Sequence, residues 1–210
     1  ADIMPIDENA PIKPAMSPYG NTKQIGEEII SDVAKVSSIN AILLRYFNPI
    51  GSHPSAEIGE LPIGVPQNLV PFITQTGIGL RNELMVYGND YPTVDGTCIR
   101  DYIHVVDLAK AHVVALERLL ENKNEDKVEI FNLGTGIGSS VLEVISSFEK
   151  VSGKPFPYKI VDRREGDVTM AYASTDKANT ILGWKTASSL DQAMESAWNW
   201  EQKIRKNNFQ

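Results

Sequence analysis

Tyr19 and Lys23 stand four residues apart in the stretch SPYGNTK, the spacing that stacks two side chains on one face of a helix. A phenol is a poor base at neutral pH, and a neighbouring ammonium favours its phenolate form. Such a pair can take a proton from an alcohol such as a sugar hydroxyl. Two residue types at this spacing also recur by chance, so the pair means chemistry only if other groups suit it. Arginine offers an anion a planar fork of paired hydrogen bonds. Arg100 lies in the apolar run CIRDYIHV, where an unpaired charge is costly. It therefore requires an anion, either a ligand phosphate or one of Asp101, Asp107 and Asp167. The glycines of NLGTGIGSS, Asn132 to Ser140, are spaced G-x-G-x-G and read either as a tight turn or as a phosphate cradle.

The elements that must hold these groups are legible by period. From Tyr19 to Val36, Ile25, Ile29, Ile30, Val33 and Val36 recur at helical intervals and predict an amphipathic helix. Four prolines in the preceding eighteen residues suggest an extended connector. NAILLRYF, Asn40 to Phe47, reads as a strand buried on both faces, and a long Pro/Gly-rich loop follows. Loops of that length usually serve a function. A helix over residues 67–78, strands at LMVYG and CIRDYIHV, a helix over 107–120 and a strand at VEIFNLG come next. A helix then opens on the capping box Ser140-x-x-Glu143. A strand at 158–161, a short helix ending at Gly183 and a last helix entered through Ser189-x-x-Gln192 complete the series. Alternating strands and helices predict an α/β chain. Asp95 and Gly96 read as a turn, and His104 as a hydrogen-bonded core residue.

Composition excludes several classes. The 210 residues are 42% hydrophobic, enough for a packed core, and the net charge of −7 without a basic run leaves no footprint for nucleic acid. No apolar stretch is long enough to span a membrane. Cys98 is the single cysteine, which excludes an internal disulfide and fits a reducing, cytoplasmic compartment. His53, His104 and His112 have no ligand spacing for zinc, so no metal is expected.

Taken in order, SPYGNTK, LLRYFNPIGSHP, GVPQNLVP, YGNDYPTVDGTCIRDYIHVVDLA and RREGDV resemble the extended short-chain dehydrogenase/reductase superfamily, and within it the UDP-glucose 4-epimerase family. The resemblance runs from Met4 to about Trp200. It implies inversion at the sugar C4 through a 4-keto intermediate with transient reduction of NAD, interconverting UDP-glucose and UDP-galactose. Tyr19 would be the base, and Lys23 its tuner and a ligand of the nicotinamide ribose. Tyr46 and Phe47 would border the nicotinamide. Asn48, Asn68, Leu69, Leu84, Met85, Tyr87, Arg100, Tyr102, Arg164, Asp167 and Ala171 would contact the UDP-sugar. In that reading Tyr87 stacks on uracil, the two arginines hold the diphosphate, and Asp167 holds the ribose. Ala171 takes a position that varies in the family between bulky and small, and a small residue there suits N-acetylhexosamine nucleotides.

The resemblance also implies an α/β fold with the C-terminal part of a Rossmann-type parallel sheet and a smaller substrate-binding domain. Residues 1–50 would close the NAD-binding domain, and 51–210 would be mainly the UDP-sugar domain with some segments packing back. The glycine fingerprint of an NAD-binding half is not in the sequence, and that half, about 100–150 residues, would be a partner without which the chain is inactive. A homodimer is implied for the full-length protein. Other readings are a sugar-nucleotide dehydratase or decarboxylase, which would need a carboxylate beside the tyrosine, and a non-catalytic UDP-sugar-binding module.

Overall fold

The computed structural model describes residues 3–206. Helix α1, Pro18–Val36, begins where Ser17 Oγ accepts the Gly20 N–H at 3.0 Å, with proline at the first helical position, where its missing donor costs nothing. The chain then enters strand β1, Ala41–Tyr46. Its parallel partner is β6, Val128–Leu133, in register from Ala41 opposite Val128 to Tyr46 opposite Leu133. Helix α3, Val105–Leu120, packs on this pair and encloses a core of Ile103, Leu108, Ala111, Phe131, Leu133 and Trp184.

A second core lies among α2, Leu69–Gly77, α4, Val141–Ser152, and α5, Leu190–Lys206. Phe148 is its centre, set edge-on to Phe156 and Trp198 with ring centroids 5.3 and 5.2 Å away. Three short strand groupings cover it or join it to the first core. Strand β2, Asn48–Ile50, runs parallel to β5, Tyr102–His104. Strand β3, Leu84–Tyr87, runs parallel to β8, Tyr158–Val161. Strand β4, Ile99–Arg100, lies between antiparallel β7, Ser139–Ser140, and parallel β9, Met170–Ala171. The fold is α/β with parallel strand pairing.

Both capping patterns read from the sequence form: Ser140 and Glu143 cap each other's backbone, as do Ser189 and Gln192. Other expectations need correction. CIRDYIHV is two strands in different sheets, because its middle residue, Asp101, turns its carboxylate into a separate cluster of donors. Helix α3 starts at Val105, earlier than expected, since His104 Nδ1 accepts the Val106 N–H at 3.0 Å. The short helix before Gly183 is a single π-helical turn, Ala178–Leu182. The expected connector is tied down: Ile6 N donates to Tyr172 O and Ser174 N to Ile6 O, at 2.9 and 2.7 Å. Among the described residues no helix is long and apolar enough to cross a membrane.

The apolar face of α1 has the predicted period but not the predicted burial. Only Ala34 is buried, and Ile25, Ile29, Ile30 and Val33 stay between 40% and 58% exposed. Polar straps hold the helix instead. Lys127 Nζ donates to Ala34 O, and Gln24 Nε2 donates to Lys13 O at 2.7 Å. Arg45 of β1 forks onto Glu27, Nε to Oε1 at 2.8 Å and Nη2 to Oε2 at 2.5 Å.

Candidate functional site

Tyr19 sits in the first turn of α1 and is 70% exposed, as a residue that meets a ligand must be. Lys23 lies one turn on, its Nζ 5.1 Å from the centroid of the Tyr19 ring. Lys23 also lines an open cleft of about 380 Å³, with Tyr46 and Phe47 from the end of β1, Asn132 from β6, the Arg45–Glu27 fork and the strap of residues 6–13. The ammonium and the two aromatic residues therefore flank one concavity at the end of a parallel strand pair, the place where open α/β sheets bind ligands, and the Tyr19 ring stands beside that ammonium without lining the cleft itself.

From that cleft the chain leads directly to the remaining candidates. Asn48 follows Phe47, lies opposite Tyr102 in the β2–β5 register, and donates its N–H to Asp101 O at 2.9 Å. Arg100, two residues before Tyr102, lies opposite Ala171 in the β4–β9 register. A loop after β8 carries Arg164 and Asp167, joined by a hydrogen bond of 2.7 Å, and the Arg164 guanidinium stands 5.5 Å from the Tyr87 ring centroid. Along β3 the pattern alternates: Met85 and Tyr87 face out, while Leu84 and Val86 are buried. Aromatic ring, guanidinium and carboxylate thus form one cluster, with Tyr87 and Arg164 exposed and the Asp167 side chain mostly covered.

Several candidates stand elsewhere than on an open surface. Leu84 turns into the core, so its side chain is not on the face of Met85 and Tyr87. Tyr102 is also a core residue, and burial pushes its phenol up to about 12. Leu69 packs against the same core. Asn68, at the start of α2, is exposed and donates Nδ2 to Glu60 Oε1 at 3.1 Å.

Arg100 does not find its anion in the three carboxylates named from the sequence. Its guanidinium donates to the carbonyl of Ile99 at 2.8 Å, and each carboxylate is engaged elsewhere. Asp167 holds Arg164. Asp107 accepts the N–H groups of Ala187 and Ser188 at 3.0 and 2.8 Å; burial alone would raise its pKa, but these donors bring it below the usual carboxylate value. Asp101 accepts from Thr135, Gly136 and Ala173. That last cluster also decides the glycine-rich loop. Its N–H groups cradle an anion, but the anion is the protein's own Asp101 carboxylate, so the loop is not a phosphate site. A Cβ on Gly134 would stand 2.3 Å from Asp101 Oδ2, which is why that position must be glycine.

His104 is a core residue, as expected: Nδ1 accepts from Val106, Nε2 meets Ser196 Oγ at 3.2 Å, and burial holds its pKa below the ordinary value. The Asp95–Gly96 turn has Asp95 Oδ1 accepting from Thr97 at 2.9 Å and Oδ2 bonded to Ser140, so it also steadies the start of α4. Sequence reasoning missed the Arg45–Glu27 fork and the role of Asp101. It also missed Tyr91, buried beneath Arg163 at 4.1 Å with no partner for its hydroxyl among the described residues.

The family described as GDP-mannose 4,6 dehydratase matches residues 1–197. UDP-glucose 4-epimerase of Mus musculus is 50% identical over 199 residues, 94% of this chain and 56% of that protein. Among solved structures, the UDP-glucose 4-epimerase of Stenotrophomonas maltophila with bound NAD and formylated UDP-arabinopyranose matches with a TM-score of 0.94 and 44% identity, over 99% of this chain and 61% of that one. That of Bifidobacterium longum in complex with NAD+ and UDP gives 0.90 and 45%, over 97% and 60%. The chain spans about half the length of the curated relatives it matches.

Proposed function

The chain belongs to the family described as GDP-mannose 4,6 dehydratase, and we propose that within it the chain forms the substrate-binding and base-bearing part of an NAD-dependent UDP-glucose 4-epimerase. The observation that carries this reading is the cleft lined by Lys23, Tyr46 and Phe47, with Tyr19 beside Lys23 and Asn48 next in the chain, together with the Arg100–Ala171 pair and the Arg164, Asp167 and Tyr87 cluster. Epimerases solved with NAD and with UDP share the fold at 44% and 45% identity, which supports the same ligands here.

Tyr19, with the Lys23 ammonium beside its ring, takes the proton of the sugar 4-hydroxyl and later returns it. Asn48 offers the sugar both a donor and an acceptor. Arg100 and Arg164 hold the diphosphate. Arg164 exchanges the Asp167 oxygen for a phosphate oxygen, which frees the carboxylate for the ribose hydroxyls. Tyr87 gives uracil a face to stack on. The chemistry that bound NAD supplies is reversible acceptance of a hydride from the sugar C4. Lys23, Tyr46 and Phe47 fit the nicotinamide end of that cofactor, since the cleft they line is open. The glycine-rich loop does not fit the pyrophosphate, its donors being filled by Asp101. The reading therefore includes an NAD-binding half as partner. A homodimer of the full-length protein is also part of it, supported by the exposed isoleucines of α1. A cytoplasmic site of action suits a chain whose one cysteine, Cys98, is free and buried.

A 4,6-dehydratase would need a carboxylate beside the tyrosine, and the preceding Ser17 and Pro18 provide none. Ala171, small and adjacent to Arg100, supports acceptance of N-acetylated UDP-hexosamines as well. The test is Tyr19→Phe in the full-length protein. Turnover of UDP-galactose should fall at least about a hundredfold with UDP affinity unchanged, the scale of a lost general base. Turnover within a few-fold of wild type would refute the role.

A further inference from the structure

We propose that the buried carboxylate of Asp101 is a positioning residue for UDP-sugar recognition, acting through Arg100, Ala171 and Asn48 without touching the ligand; the inference rests on the proposed function. Asp101 has no exposed surface. A buried carboxylate is costly unless its lone pairs are filled, and here four donors fill them. Oδ1 receives Thr135 N at 2.8 Å and stands 2.7 Å from Thr135 Oγ1. Oδ2 receives Gly136 N and Ala173 N, each at 3.1 Å. The backbone of the same residue donates to Ala171 O at 3.1 Å and accepts from Asn48 N at 2.9 Å. Arg100 precedes it and Tyr102 follows it.

One side chain therefore braces three segments beyond the short pairing of β4 with β7 and β9: the β4–β5 junction, the glycine-rich loop, and the stretch after β9. The bend it enforces ends β4 and puts β5 in a different sheet, and Arg100 stands at that bend. The backbone of Asp101 holds Ala171 and Asn48 and follows Arg100, and the carboxylate fixes that backbone against the glycine-rich loop and Ala173, so it acts on all three residues at one remove. Asparagine at 101 would keep the volume but could accept at only one of its two terminal atoms. Whichever way the amide turned, its NH2 would face a backbone N–H, that of Thr135 or those of Gly136 and Ala173, donor against donor. The carboxylate, not its shape, is what the cluster requires.

The test uses the full-length protein with Asp101→Asn and Gly134→Ala, the second pressing on Oδ2 from the opposite side. Ala115→Gly, at a buried position of α3 outside these three segments, is the stability control. UDP affinity is read by calorimetry, UDP-galactose kinetics by steady-state turnover, and stability by thermal unfolding. Both site variants should weaken UDP at least about tenfold, the scale of one or two lost charge-assisted hydrogen bonds. KM for UDP-galactose should rise in parallel, with kcat within about threefold, because Tyr19 and Lys23 are held by the separate straps on α1. The control should lower the melting temperature and leave UDP affinity alone. If Asp101→Asn does not fold, Gly134→Ala is read in its place. Site variants that lose stability like the control but keep UDP affinity within twofold of wild type would overturn the inference. Wild-type protein that bound no UDP would refute the proposed function and this inference together.

Discussion

Replacing Arg45 by methionine keeps much of the side chain's volume and removes its charge, which tests how the helix bearing Tyr19 and Lys23 is held to the sheet. Glu27 and Arg45 meet as a two-bond fork at 2.8 and 2.5 Å, with their side chains only 27% and 24% exposed. Charges about 4 Å apart attract by about 4 kcal/mol at an effective dielectric constant of 20, before desolvation is charged against them. Exposed pairs retain about 0–1 kcal/mol, while breaking a fully buried pair costs about 3–5 kcal/mol. A pair one quarter exposed belongs between these limits, so a coupling of about 1.5–2 kcal/mol is expected. The single change Arg45→Met should cost about 2–3 kcal/mol, because the bond from Arg45 to Glu8 O at 3.2 Å is lost as well. The assay is a double-mutant cycle with Glu27→Gln, read by urea unfolding in low salt and in 0.5 M salt. Most of the coupling should survive the salt, since screening acts weakly on shielded charges. A coupling below about 0.5 kcal/mol, or one abolished by salt, would refute the reasoning and make the fork an ordinary surface pair.

The remaining predictions concern acidity and selectivity. Burial holds the His104 pKa below 6.5 in the folded protein, against the partly opposing attraction of Asp107 and in the same sense as Lys110 and His53. As the pH falls below about 6.5 the unfolded chain takes up that proton first, so stability is full above this pH and declines below it until the folded pKa is passed. Urea unfolding at pH 7.5 and 5.5 should show the decline, and His104→Asn should flatten it; equal slopes in both proteins would sink the assignment. Introducing a bulky ring by Ala171→Tyr should reduce turnover of UDP-N-acetylgalactosamine at least about tenfold while UDP-galactose stays within about threefold, the scale on which a filled pocket discriminates. No turnover of the acetylated substrate by wild type would contradict the reading of Ala171.

What could be read from the sequence was what short-range physics decides. The start of α4 follows from Ser140 and Glu143, and β1 from a short, mostly apolar run, although only Leu43 of it is buried and not both faces as that run suggested. Tyr19 meets Lys23 because a helix repeats every 3.6 residues. Strands β2, β7 and β9, of two or three residues, are too short to show alternation, and they exist only because another strand lies alongside.

Asp101 marks the boundary between what sequence and structure each decide. The sequence offered it as a counter-ion for its neighbour Arg100, whereas its donors lie 34, 35 and 72 residues away. A buried carboxylate goes where its lone pairs can all be filled, and no local pattern reports where the fold gathers three backbone N–H groups and a hydroxyl. The same limit applies to α1, whose apolar period was legible but whose exposure was not. The period of a helix is a property of its own residues; the burial of its face depends on which other elements lie against it. Residue types and spacing by themselves determined the α/β order, the caps and the Tyr19–Lys23 pair. Only the tertiary structure decided that Asp101 fills the glycine loop, that Leu84 and Tyr102 turn inward, and that Arg100 is not paired with the three nearby carboxylates, because each outcome is set by distant groups competing for the same few hydrogen bonds and the same enclosed volume.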